Sequence, residues 1–234
     1  MNILMLDTSG PACGVALMRE GHLVYEAQLT HSRTHSQRLM PMLSAALEMA
    51  ELRAQEIDLF GAVVGPGSFT GVRIGVTTVK ALAHAADKPC IGIDALEALA
   101  ANVVSFDGLI CPILDARAQQ VYGAAFRAGF PPQRVFEDEA EKLTAFLDKL
   151  EATGERALFL GDGMEPMREA IVSRMGDRAS FAPAQHAGLR AGSACALAAH
   201  YARQGAEMDY LRLMPLYLRA PQAERERAAR EAKA

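Results

Sequence analysis

The chain has 234 residues, enough for one large domain or two small lobes at roughly 100 to 200 residues per domain. Half of it is hydrophobic (50%), 22% is charged, and no run of 18 apolar residues occurs, which excludes a helical membrane span and a disordered chain. Twenty-four Lys and Arg against 28 Asp and Glu leave a net charge of -4. No overall positive field draws such a chain to polyphosphate, so contact with a nucleic acid falls mostly to a partner.

The N-terminal run Ile3 to Leu6 reads as a strand broken at Thr8-Ser9-Gly10-Pro11, followed by strands at Val15 to Met18 and His22 to Leu29. These form a three-stranded meander. Met1-Asn2 supplies no basic leader and Asp7 ends the apolar run early, so no signal peptide and a cytoplasmic location are expected. Thr34 with Gln37 matches a capping box, and Leu39, Leu43, Ala46, Leu47 and Ala50 follow at helical spacing. Pro41 either sits in the first turn or kinks that helix by freeing the carbonyl of Gln37.

Leu59 to Val64 is a strand closed by Gly65-Pro66-Gly67, and Val72, Val76, Val79, Ala83 and Ala86 mark the helix after it. Pro89 to Ile93 is a further strand, with Asp94 capping a helix through about Val104. A second unit opens with strands Gly108 to Leu114 and Gln119 to Phe126 around Asp115-Ala116-Arg117. Pro131-Pro132 marks a loop, Glu139 to Leu150 reads as a helix, Ala157 to Leu160 as a strand stopped by Gly161-Asp162-Gly163, and Glu165 to Met175 as a helix. The second half thus repeats the first in abbreviated form. Leu189 to Tyr201 is an Ala-rich helix whose small side chains suit close packing between lobes. The expected organisation is an N-terminal, partner-binding lobe over 1–100, a C-terminal lobe over 101–188, a helix and strand over 189–220 packing between or back on the lobes, and a solvated tail over 221–234.

Several features bear on chemistry. The segment Gly65-Pro66-Gly67-Ser68-Phe69-Thr70-Gly71-Val72-Arg73-Ile74-Gly75 feeds a helix whose free N–H groups and positive dipole end suit a phosphate. It is neither a Walker loop nor GxGxxG. The alternative reading is that Gly71 and Gly75, one turn apart, clear a helix face for close approach of another backbone. Asp7, Thr8 and Ser9 converge where the first strand turns, and either orient a metal-bound water or a phosphate or merely form the turn. Asp115-Ala116-Arg117 is the second-lobe counterpart, but Arg117, Gln119 and Gln120 add bulk where a phosphate wants glycine; Gly161-Asp162-Gly163 is a third candidate ligand turn, though a strand-to-helix link needs such residues anyway.

His31 and His35 stand four apart without a carboxylate nearby, and His31 precedes the expected cap, which argues against zinc. His84, His186 and His200 are isolated, no GxSxG occurs, and Ser68 lacks a patterned partner. Cys13, Cys90, Cys111 and Cys195 form no CxxC pair and read as buried small hydrophobes in a reducing compartment.

Taken together, Ile3 to Ser9, His35-Ser36 with Leu39 and Pro41, the segment Gly65 to Gly75, Leu114 to Arg117 with Val121-Tyr122, and Pro215-Leu216-Tyr217-Leu218-Arg219 resemble the TsaB (YeaZ) family of bacterial tRNA threonylcarbamoyladenosine biosynthesis proteins. The likeness runs to about residue 220. It implies an α/β, two-lobed actin-like fold of the sugar kinase and heat-shock ATPase superfamily, with mixed sheets flanked by helices. It also implies a non-catalytic dimerising subunit that supports the catalytic paralogue TsaD, with the ATPase TsaE, in forming N6-threonylcarbamoyladenosine at position 37 of tRNAs reading codons that begin with A. Alone, such a subunit self-associates through the same surface, and it meets tRNA through the complex.

In the paralogue, the resemblance further implies, two histidines four apart hold a metal after the strand that follows the glycine-loop helix. Ala95 and Leu99 stand at those positions here and cannot bind one, which also argues against a metallopeptidase. The expected partner surface comprises His35, Leu39, Met42, Gly71, Arg73, Gly75 and Thr78, with Met40 and Met49 as adaptable contacts. Asp7, Thr8, Ser9, Asp115, Gly161 and Gly163 are expected to be vestiges of a nucleotide site, with no metal, no catalytic residue and no cofactor beyond weakly bound nucleotide. The competing reading is a small-molecule kinase or ATPase of the same superfamily, motivated by Asp7, Asp115 and the glycine turns.

Overall fold

The computed structural model describes residues 1–30, 34–206 and 208–219. His31 of the histidine pair and the tail over 221–234 therefore lie outside the described residues. The first unit comprises strands β1 (Asn2–Asp7), β2 (Ala12–Arg19) and β3 (His22–Thr30), helix α1 (His35–Met49), β4 (Leu59–Gly65), helix α2 (Phe69–Ala86), β5 (Cys90–Asp94) and helix α3 (Ala95–Ala100). The second comprises β6 (Leu109–Asp115), β7 (Gln120–Arg127), β8 (Gln133–Lys142), helix α4 (Leu143–Thr153), β9 (Ala157–Leu160), helix α5 (Met164–Met175) and β10 (Ala179–Phe181). A one-turn helix α6 (Ala184–Ala187) and helix α7 (Ala191–Arg203) follow.

Each unit builds one five-stranded mixed sheet, ordered β3-β2-β1-β4-β5 and β8-β7-β6-β9-β10. In both, an antiparallel meander is extended by parallel strands reached through helical crossovers. The repeat is therefore complete, with β3 matched by β8 and β5 by β10. Alternation along β1 sorts its side chains. Leu4 and Leu6 face a core under α1 and α2 with Leu39, Leu43, Val72 and Val76, while Ile3 and Met5 face the space between the sheets. That central core holds Leu96 and Leu99 of α3, the small residues Ala194, Cys195, Ala198 and Ala199 of α7, and Ile110 and Phe126 of the second sheet. A third core lies under α4 and α5.

Four local expectations change. Residues 133–142 form an edge strand rather than the start of a helix. Their burial alternates with period two against β7, and the run of acids that mimics a helix is partly neutralised by Lys149, which bridges Glu139 and Glu141 at 2.8 Å each. The helix capped by Asp94 stops at Ala100, because the Asn102 amide turns away to donate to the carbonyls of His186 and Gly188. Thr34 precedes α1 without a side-chain cap; its hydroxyl meets that of Ser36, and Pro41 lies within the helix rather than in its first turn. The expected C-terminal strand is an extended segment joined to β4 by one backbone bond, Leu216 N–H to the Val64 carbonyl. Among the described residues no helix is long and apolar enough to cross a membrane.

Candidate functional site

The parallel strands of both sheets end toward a cleft of about 450 Å³, lined by Ser9, Gly10, His35, Gly67, Ser68, Phe69, Asp115, Arg117, Tyr122, Asp162 and residues 216–219. In open α/β sheets the crevice beyond the carboxyl ends of the strands is where ligands bind.

On the first-lobe side, Asp7 is buried and its Oδ1 accepts from the Ser9 N–H at 2.8 Å and the Ser9 hydroxyl at 2.7 Å. Burial pushes its carboxyl up to about 6, against the opposing effect of the two Ser9 hydrogen bonds. Thr8 donates its hydroxyl to the Gly71 carbonyl at 2.7 Å. The glycines of the α2 entry make this approach possible. A Cβ at Gly67 would overlap the Ser9 carbonyl, one at Gly71 the Thr8 carbonyl, and one at Gly75 would stand 2.6 Å from the Thr8 hydroxyl. Ser68 caps α2 by accepting from the Gly71 N–H. His35 donates from Nε2 to the Gly10 carbonyl at 3.0 Å and so belongs to the cleft wall.

The second-lobe side uses the same plan with different residues. Cβ atoms at Gly161 and Gly163 would crowd the Ile113 carbonyl, so the β9–α5 link presses on the end of β6 as the β4–α2 link presses on β1. Asp115 accepts from the Arg117 N–H at 2.8 Å, and its own N–H donates to Asp162 Oδ1 at 3.0 Å. Asp162, the middle residue of the third candidate turn, has its carboxyl raised, chiefly by burial. Arg117, Ala118 and Gln119 all adopt the left-handed region, with φ of 67°, 53° and 58°. The bulk expected in this turn therefore carries backbone strain as well.

The structure brings Asp7, Thr8, Ser9, Gly71 and Gly75 together, and Asp115 with Gly161 and Gly163. It redistributes the expected partner surface. Gly71 and Gly75 face Thr8 of the same chain, so the close approach they permit is already filled from within. Leu39 is buried in the core under α1, and Met42 is half-buried against it. Arg73 stays on the exposed face of α2, where Thr78 is half-buried and turned back on the Ile74 carbonyl; Met40 and Met49 are exposed on α1.

Two sets of contacts were not foreseen from the sequence. Arg73 lies 3.8 Å from the Phe69 ring centroid and donates to the Tyr217 hydroxyl at 2.7 Å. Pro215 to Arg219 carries part of the family likeness, which is the one signal the sequence held for that contact. Between the lobes, Arg134 pairs with Asp138 and reaches Asp94 at 3.7 Å, while Tyr201 donates to Glu97. Asp94 and Glu97 both have raised carboxyl pKa values, chiefly through burial.

All four cysteines are buried and free. Burial pushes the thiols of Cys13 and Cys90 up to about 11, that of Cys195 to about 12, and that of Cys111 further. Among the described residues no group of three or more His, Cys, Asp or Glu is placed to hold a metal ion. Ala95 and Leu99 are fully buried in the central core.

Two sheets of one order, each with a glycine-relieved link pressed against its first strand beside a shared cleft, define a two-lobed α/β protein built from a repeated unit. A family model described as TsaD: tRNA N6-adenosine threonylcarbamoyltransferase matches residues 29–226. The tRNA threonylcarbamoyladenosine biosynthesis protein TsaB of Bacillus subtilis is 35% identical over 226 residues, covering 96% of each chain. Its Escherichia coli namesake is 36% identical over 129 residues, 54% of this chain and 55% of that one. A crystal structure from Pseudomonas aeruginosa, described as an uncharacterized protein with similarity to peptidase YEAZ, superimposes with a TM-score of 0.80 at 26% identity over 93% of this chain and 99% of that one. The chain belongs to the TsaB (YeaZ) family.

Proposed function

We propose that the chain is a non-catalytic platform subunit of the assembly that forms N6-threonylcarbamoyladenosine at position 37 of tRNAs reading codons that begin with A. It docks on a TsaD-type paralogue that performs the transfer, with a TsaE-type ATPase as the third member. The observation that carries this reading is the likeness to Bacillus subtilis TsaB over nearly the whole of both chains. Supporting it, Ala95 and Leu99 are apolar core side chains where the paralogue is expected to present histidines. Asp7 is engaged by its own Ser9. Neither arrangement offers a cation a ready ligand set.

Docking uses the outward side of α2, where Thr70, Arg73 and Thr77 are exposed beside half-buried Ile74 and Thr78, together with Met40 of α1. Phe69 and these α2 residues line a shallow depression. Without the paralogue a second copy occupies the same face and gives a homodimer. The subunit works in the cytoplasm, holds no cofactor beyond weakly bound nucleotide, and its net charge of -4 leaves tRNA binding to the rest of the assembly.

Calorimetric titration with the paralogue tests the docking face. Thr77→Arg on the exposed side of α2 should weaken binding at least about tenfold, a loss of about 1.4 kcal/mol, while Glu169→Arg on α5 leaves it unchanged. Native affinity for Thr77→Arg would remove α2 from the interface. Turnover of ATP by the isolated chain would favour the small-molecule kinase or ATPase reading instead.

A further inference from the structure

Beyond α7 the chain returns over the first lobe and then crosses the cleft. The Leu213 carbonyl accepts from Lys80 Nζ at 3.2 Å, and the Leu216 N–H donates to the Val64 carbonyl at 2.7 Å. Gly65, at φ +111°, is required both by its backbone and by this approach, since a Cβ there would stand 2.7 Å from the Leu216 carbonyl. The Tyr217 ring packs on Phe69 at 5.0 Å between centroids, and its hydroxyl accepts from Arg73. Arg219 then reaches the other lobe, where Nη1 donates to the Ala116 carbonyl at 3.0 Å, inside the left-handed turn between β6 and β7.

We propose that residues Leu213–Arg219 are an intramolecular clasp that holds the two lobes together across the cleft and walls off its mouth. The attachments are unequal. On the first lobe the strap is fixed by backbone bonding, a glycine-relieved contact and an aromatic stack. On the second, among the described residues, it has one hydrogen bond, from Arg219, to a turn whose three consecutive left-handed residues already sit in an unfavourable conformation. Opening therefore breaks the Arg219 contact first, while the strap stays seated on α2. The central core around α3 and α7 joins the lobes on their packed side and forms the hinge side of that motion. The clasp shares Phe69 and Arg73 with the docking face proposed above, but the observations behind it are contacts within the chain and hold whether or not that face docks a partner.

Paired spin labels on the full chain test it, at Glu48→Cys on α1 and Glu169→Cys on α5, both exposed. The four native thiols are buried and stay unlabelled. Labelled chain diluted into an excess of unlabelled chain, so that only pairs within one chain are read, should give one narrow distance distribution for the parent. Arg219→Ala and Tyr217→Ala should each add a longer component, and Arg219→Lys, which keeps a donor, should restore most of the parent distribution. Folding is checked by circular dichroism; should Arg219→Ala fail to fold, Tyr217→Ala and Arg219→Lys decide between the same outcomes. An unchanged distribution in folded strap variants would overturn the clasp.

Discussion

The two turns that face each other across the cleft follow one plan and spend their residues differently. In the first lobe, glycines at 67, 71 and 75 let α2 press against Thr8 and Ser9, and a buried Asp7 is held by its own neighbour. In the second, Gly161 and Gly163 keep the equivalent approach, but the turn over 117–119 places three side-chain-bearing residues in the left-handed region. Glycine at the helix-entry links of both lobes is thus demanded by space, whereas the β6–β7 turn of the second does without it at a cost in strain.

That contrast can be broken at four points. Gly71→Val forces a branched side chain into the Thr8 carbonyl and should cost about 3 kcal/mol or more, or abolish folding; a native midpoint in urea would refute the assigned contact. Asp7→Asn comes next. Because the folded carboxyl titrates near 6 rather than at 3.8, the native state retains a proton that the unfolded state has lost between about pH 4 and 6. Stability therefore falls as pH rises through that window and is level above it. Asparagine should abolish this slope and stabilise the protein at pH 8 by up to about 3 kcal/mol, read from urea midpoints at pH 4, 5, 6 and 8.

In the second lobe Ala118→Gly should stabilise by about 0.5 to 1 kcal/mol, the relief of one left-handed residue less the entropy that glycine loses. A loss of stability there would show that the turn is not strained. Smallest of all, Gly10→Ala should move the midpoint by less than about 0.5 kcal/mol, since no atom lies within 4 Å of the Cβ it would add.

The sequence made much of this legible because its signals were local. Apolar runs closed by Gly, Pro and Ser located β1, β2, β4 and β9, and Asp94 caps α3 as its position suggested, accepting from the Glu97 N–H at 2.8 Å. β8 was hidden because Glu137, Asp138, Glu139 and Glu141 depress strand propensity, and only pairing with β7 reveals its period of two. Glycine spacing pointed to a close backbone approach around 67–75 but not to its occupant, since Thr8 lies some sixty residues away in the chain. For the same reason the reach of Arg219 to Ala116, across 103 positions, left no mark in the local pattern.

The most direct test of the central claim is reconstitution in vitro of threonylcarbamoyladenosine formation on tRNA, using the TsaD-type paralogue and TsaE-type ATPase with and without this chain. Product is expected only when the chain is present, with activity retained when Asp7 is replaced by Asn and no ATP turnover by the chain alone. Full modification without it, or turnover by the purified chain that is lost in Asp7→Asn, would contradict a platform role.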